Sequence, residues 1–534
     1  MPAGEQGMGE TYDAIIVGGG HNGLVCSAYL ARAGLKVCVL ERRHVLGGAA
    51  VTEEVWPGYR VSVCSYVMSL LQPRIIRDLE LARHGFEVLP ANNLFIPFPD
   101  GRYLVFWDDA KKTCAEIAKY SKKDAEAYPL FDAHLQEAAK VVRALLWETP
   151  PNPVSRKWKD MKDTAALLWK FRNIGGKLFR FVDLMTQSVS DYLDRWFESP
   201  EIKAVLAYYS SIGTFLGPKS PGTAYVLLHH VMGEHEGAGG WGFIRGGMGA
   251  ISQAIASSAR EKGVVTRTSA EIDRIIVRDG RAAGVRLKSG EEIHAKLVAS
   301  NANVKATFLG MIDAEHLPPE FIAEVKAYRT VSSAFKINLA VEEPPRYTAF
   351  DKAKIGIDYP TYVHIGPSVD YLEQAYDDAK YGRPSKRPFI TPVVPTIVDT
   401  SLAPKGKHIV NLFGGHAPYY LREGNWDTER DKLFDSVVDT LGEYAPNFKG
   451  SIIHKQILTP PDLESLIGLP HGHIFHGELT LDQLFFMRPV PGYANYRSPI
   501  KGLYQCGSSA HPGGGVMGVP GYNAAREILK DLRK

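Results

Sequence analysis

Gly18, Gly20 and Gly23 form a G-x-G-x-x-G directly behind the apolar run 12–17 (YDAIIV) and ahead of a helical pattern over 24–33. That setting suits phosphate binding. Gly18 permits the tight strand-to-helix turn, Gly20 lets backbone approach a pyrophosphate, and Gly23 lets helix and strand pack closely. The helix N-terminus adds unpaired N–H groups and partial positive charge. A second short strand, 35–40, ends at Glu41, whose carboxylate suits an adenosine ribose and disfavours a 2′-phosphate. The glycine pattern alone says little, because it recurs at Gly237, Gly239 and Gly242 and at Gly513, Gly515 and Gly518. Only the first copy has strand, glycines, helix, strand and acid in order, so it is read as the dinucleotide site.

Beyond Glu41 come Arg42, Arg43 and then Gly47-Gly48. This extension resembles the FAD signature of glutathione-reductase-like flavoproteins, with Arg42 and Gly48 beside the cofactor. A comparable grip ends the chain: a short strand in 502–507, a glycine-rich loop to Gly518, and a helical pattern over 519–532 with Ala524, Ala525, Ile528 and Leu529 on one face. Between the grips, 251–261 reads as a helix, followed by short runs at 263–266, 270–277, 282–288 and 292–299. Asp279-Gly280 and Ser289-Gly290 are hairpin signals between them.

Composition sets the frame for these motifs. A chain of 534 residues with 45% hydrophobic content exceeds the roughly 250–300 residues that one core usually serves, so two domains are expected. A formal net charge of +3 with 23% charged residues is not the concentrated basic charge of a nucleic-acid binder. None of the five cysteines forms C-x-x-C or metal-ligand spacing, so they read as buried small hydrophobes. His471, His473 and His476 lack an accompanying carboxylate cluster and read as packing near cofactor or substrate, not as a metal site. No apolar run reaches the ~18 residues of a spanning helix, and the first ten residues carry no visible targeting signal. Residues 156–180 hold eight basic and two acidic residues interleaved with Trp158, Trp169, Phe171 and Phe179, a pattern suited to an anionic membrane surface.

Five blocks together carry a resemblance over essentially the whole chain: GGGHNGLVCSAYLARAG, ERRHVLGGAAVTEE, PTIVDTSLAPKGKH, FHGELTLDQLFFMRPVPGYANYRSPIKGLYQCG and SSAHPGGGVMG. They resemble the phytoene desaturase and carotenoid isomerase-like family of FAD-dependent oxidoreductases. The resemblance implies an α/β, two-domain, glutathione-reductase-like FAD-binding fold of Rossmann type with an inserted α+β substrate domain. The FAD-binding domain is expected from 11–70, 236–310 and 489–534, and the substrate domain from 71–235 and 311–488. By position, Gly18, Gly20, Gly23, Glu41, Arg42, Gly48, Ile272, Gly507 and Met517 would line FAD. Hydride would pass between an apolar substrate and flavin N5, with no catalytic side chain assigned. A carotenoid desaturase or ketolase is one alternative; a flavin-stabilised interaction protein docked to a respiratory complex is another. The resemblance also implies the mitochondrial matrix or inner-membrane face for a eukaryotic chain, and a cytoplasmic, membrane-associated location for a bacterial one.

Overall fold

The computed structural model describes residues 11–91, 93–172, 177–233 and 242–533. The second glycine motif, at Gly237 and Gly239, lies outside them. Strand β1 (Tyr12–Val17) is buried except at Asp13, as befits a parallel strand covered on both faces. Gly18, with φ +91°, turns the chain into α1 (His21–Arg32), which is N-capped by Gly20. The helix starts at His21, not at Leu24. The polar pair His21-Asn22 interrupts the apolar periodicity yet is buried, so Gly23 falls inside the first turn.

Strand β2 (Val37–Leu40), helix α2 (Gly249–Glu261) and strands β3 (Val265–Arg267), β4 (Ile272–Arg278), β5 (Arg281–Leu287), β6 (Glu292–Ser300) and β7 (Leu503–Gln505) follow, and α3 (Val519–Leu532) comes last. The first sheet runs β4-β5-β6-β1-β2-β3, with β7 beside β6. Its centre is parallel, β3-β2-β1-β6-β7, and β4-β5-β6 is an antiparallel meander. Asp279 and Gly280 both adopt positive φ, +49° and +68°, the geometry of a two-residue hairpin. Helix α3 lies against α1 at backbone distance: a Cβ on Gly521 would sit 2.1 Å from the Asn22 carbonyl oxygen. Chain ends almost five hundred residues apart thus form one layer over the parallel strands.

A second sheet is built from Ile452–Leu458, Phe335–Val341, His408–Gly414, Ile390–Val393, Tyr362–Val363, Leu94–Pro97 and Tyr103–Phe106, in that order. Alternation gives its strand Phe335–Val341 two different faces. Phe335, Ile337 and Leu339 pack on Leu433, Val437 and Leu441 of the helix Trp426–Gly442. Lys336 and Asn338 point the other way, toward residues that lead out of the first sheet's territory. The Asn338 amide donates to the Val63 carbonyl at 3.1 Å, and the Lys336 ammonium or amine reaches the Ser62 carbonyl at 3.4 Å.

Candidate active site

A cleft opens above the carboxyl ends of the parallel strands. Gly18, Gly20, Glu41, Arg42, Gly48 and Ile272 all line it, joined by His21, Asn22, Asn301, His476 and Ser508. The floor is backbone. The Gly47 N–H donates to the Gly19 carbonyl at 2.9 Å, and a Cβ on Gly48 would stand 3.2 Å from the Gly20 Cα. No side chain caps α1 and no acid occupies its first turn, so its N-terminal N–H groups stay available to an anion. Buried Glu41 accepts from the Gly19 N–H at 2.8 Å and the Arg43 N–H at 2.9 Å. Each carboxylate oxygen keeps further acceptor capacity toward the cleft. Arg42 spans the rim and donates to the Ser465 and Leu466 carbonyls at 2.9 and 3.2 Å.

The cleft continues into a second cavity, and His21, Ala49, His476 and Ser508 line both. Its walls are mostly apolar: Val67, Leu70, Ile212, Phe413, Ile474, Phe475 and Val516. Lys336 is the basic amine on this wall. Burial pushes it down to about 7, with the neighbouring Cys64 thiol opposing that shift. It bonds the Asn338 amide oxygen and lies 5.5 Å from the Tyr66 ring centre. Burial pushes the Cys64 thiol up to about 11, so it is neutral beside the lysine. His21 and His476 are held down to about 4 and about 3 by burial, and are therefore neutral imidazoles at the junction. His21 Nε2, His476 Nδ1 and Asn22 Oδ1 are buried without a partner, which is what a polar ligand at the junction would satisfy.

Three expected cofactor residues lie behind this lining. Gly23 faces the turn: a Cβ there would be 2.5 Å from the Gly18 carbonyl oxygen. Gly507 packs on the end of β6, where a Cβ would be 2.4 Å from the Asn301 carbonyl oxygen. Met517 is buried among apolar neighbours, next to Val516, which does face the second cavity. Both glycines shape the site through packing. The other two histidines of the 471–476 group point elsewhere: His471 bonds the Thr330 hydroxyl at 2.7 Å and His473 stands 3.6 Å from Glu478. Cys26 and Cys506, distant in sequence, meet in the core. Burial and the hydrogen bond between them push the Cys506 thiol well up, which keeps it protonated and unreactive.

The glycine spacing alone does not single out His21 and Asn22, because they fill the variable places of the motif. Asn22 proves to be the tie between the two grips, donating to the Ser508 hydroxyl at 2.9 Å. Nor does spacing single out Lys336, although a lysine within the strand FKINLAV, whose every residue is buried, is a signal in itself.

The family model for flavin containing amine oxidoreductases matches residues 23–362. The chain belongs to that family. It is an FAD-dependent oxidoreductase, and the backbone cradle, the uncapped α1 and the unpartnered polar atoms at the junction suit such a cofactor. The flavoprotein is 41% identical to the rat "Pyridine nucleotide-disulfide oxidoreductase domain-containing protein 2", over 98% of this chain and 94% of that one. It is 27% identical to a limonene dehydrogenase chain of Castellaniella defragrans, over 97% of this chain and 95% of that one. Among solved structures, putrescine oxidase bound to putrescine shares the fold, with a TM-score of 0.62 at 14% identity, covering 98% and 99% of the two chains.

Proposed function

We propose that this flavoprotein removes a hydride from a compact apolar organic molecule held in the second cavity, with Lys336 handling the accompanying proton. The supporting observation is that a largely apolar chamber shares four lining residues with the dinucleotide cleft, so a substrate in it would sit beside the cofactor's ring end. When bound, FAD supplies the two-electron acceptor, taking hydride at its N5 atom. The apolar walls bind the substrate by excluding water. The Lys336 amine, poised near neutrality, can accept a proton from a substrate hydroxyl or an activated carbon. The neutral imidazoles of His21 and His476 can orient polar groups without adding charge. The limonene dehydrogenase relationship favours a hydrocarbon or its alcohol over a cationic amine, and no described residue lining the second cavity is a carboxylate that would hold an ammonium group.

Anaerobic mixing of the FAD-loaded protein with a panel of monoterpenes, their alcohols, a long-chain carotenoid and a diamine tests this reading. Bleaching of the flavin by a compact terpenoid is expected. Bleaching by the diamine alone would overturn it, and bleaching by the carotenoid alone would replace it with the desaturase alternative.

The loop that ends in α3 bears on the cofactor's potential. Helix α3 has no side-chain cap and no acid in its first turn, and Val516 just before it faces the second cavity. Its N-terminal partial charge would favour a reduced, anionic flavin. Val516→Asp is expected to lower the bound-flavin potential by roughly tens of millivolts, at about 30 mV per 1.4 kcal/mol for two electrons. Val516→Asn, matched in volume and equally tolerant of the positive φ of +57° at this position, should shift it far less. Equal potentials for the two variants by dye equilibration would place the α3 terminus away from the ring.

Access for an apolar substrate is proposed to come from a membrane. Among the described residues no helix is long and apolar enough to cross one. The helix Trp158–Lys170 nevertheless buries none of its residues, and Trp158, Leu168, Trp169 and Phe179 are each at least 68% exposed. Exposed aromatics interleaved with the excess of basic residues over 156–180 fit an anionic lipid bilayer, where rings enter the headgroup layer and cations pair with phosphates. Residues 173–176 of this stretch lie outside the described set. Salt-sensitive co-sedimentation with phosphatidylserine-containing vesicles is expected. Lys159→Glu, Lys162→Glu, Arg172→Glu and Arg180→Glu combined should remove most of it, and unchanged vesicle recovery would end the proposal.

A further inference from the structure

Arg488 is completely buried. Its guanidinium holds two loops together through backbone carbonyls: Nη2 donates to Phe475 at 2.8 Å and to Ser508 at 2.9 Å, and Nη1 to Glu478 at 3.2 Å and Gln483 at 3.3 Å. Nε has no partner. None of these partners is a carboxylate. The carboxylate of Glu478, whose carbonyl is one of those partners, accepts instead from the Thr214 hydroxyl at 2.6 Å and the Phe215 N–H at 3.0 Å, and stands 3.6 Å from His473. Carbonyl dipoles solvate the cation but do not cancel its charge. An unpaired buried charge costs several kcal/mol unless something nearby compensates it.

The residues Arg488 holds are those of the junction. Phe475 lines the apolar cavity, Ser508 lines both cavities, and His476 between them does too. The charge reaches that far: with burial as the main cause, Arg488 helps to keep the imidazoles of His229, His476 and His511 neutral. From this placement we infer that Arg488 is a positioning residue whose fixed positive charge, one hydrogen bond behind the junction, favours the anionic reduced state of the cofactor. The inference rests on the assignment of the cleft to FAD. Taking up a hydride adds two electrons and one proton to the ring system while the substrate loses the same hydride. One negative charge then remains on the ring unless a second proton follows. In a buried site that charge and the guanidinium compensate each other without reorganisation.

The test compares FAD-loaded wild type, Arg488→Lys and Arg488→Met by dye equilibration, with flavin occupancy and melting temperature measured alongside. Lysine retains the charge but loses the forked grip; methionine retains the apolar stem alone. The inference expects Arg488→Met to shift the two-electron equilibrium toward oxidised flavin by tenfold or more, about 30 mV. Arg488→Lys should stay near wild type in potential even where its loops loosen and its melting temperature falls. Equal potentials for wild type and Arg488→Met, or an Arg488→Lys shift as large as that of Arg488→Met, would overturn it. Should Arg488→Met fail to fold, Arg488→Gln, which keeps hydrogen-bond donors without the charge, takes its place: a shift toward oxidised flavin supports the inference, and a potential equal to wild type refutes it. A wild type that binds no FAD would instead refute the site assignment itself.

Discussion

Gly20→Val is expected to yield a folded protein that is colourless on purification. Gly20 has φ −71° and ψ 163°, a region open to any residue, so valine brings no backbone strain. What it brings is volume. Its Cβ would stand 2.7 Å from the Asn301 side-chain nitrogen and 3.9 Å from the Gly48 Cα, in the gap between the two glycine turns. Overpacking on this scale costs about 1–3 kcal/mol, and each 1.4 kcal/mol is tenfold in binding. Losing the close approach to the α1 N–H groups adds to that, so FAD affinity should fall by roughly two orders of magnitude or more. Flavin absorbance per protein and circular dichroism together check it. Gly23→Val is the informative contrast: a Cβ there meets the Gly18 carbonyl oxygen at 2.5 Å, immovable backbone, so that variant is expected not to fold. A folded Gly20→Val protein with full flavin would remove the first turn from the cofactor site.

Lys336→Met is expected to keep FAD, slow substrate-driven flavin reduction by roughly 10²–10⁴-fold if the amine is the proton acceptor, and raise stability. Burial lowers the lysine from 10.5 to about 7. The folded protein therefore binds fewer protons here than the unfolded chain between those values, and wild-type stability rises with pH across that window. Relative to methionine, the wild type carries the full penalty of its buried amine below about pH 7 and sheds it as pH climbs toward 10.5. That penalty is roughly 5 kcal/mol at 1.36 kcal/mol per pH unit. Melting temperatures should diverge as pH falls from 10 toward 7 and then run parallel. The wild-type rate of flavin reduction should rise through pH 7, and the variant should lose that limb. A variant that reduces at the wild-type rate with an unchanged pH profile would show that Lys336 is structural.

The amino-terminal strand and turn, the meander and the closing helix were legible because each is governed by neighbours in sequence. YDAIIV is a buried parallel strand, Gly18 needs its positive φ, Asp279-Gly280 turns a hairpin, and the helical pattern over 519–532 appears as α3 (Val519–Leu532). A dinucleotide site followed from these local rules, since a strand, a glycine turn and an uncapped helix recognise phosphate by backbone alone; FAD in particular followed from the resemblance to a flavoprotein family. The chemistry of the second cavity was decided by tertiary structure. Lys336 belongs to a strand of the other sheet and becomes a poised amine only when that sheet's polar face is laid against residues 62–66 and water is excluded. His21, His476 and Ser508 come from three distant segments and mean nothing until the Asn22–Ser508 bond and the α1–α3 packing bring the chain ends together. Local geometry can be read from spacing. Desolvation and the meeting of side chains from far-off segments depend on which surfaces close on one another, and spacing does not carry that information.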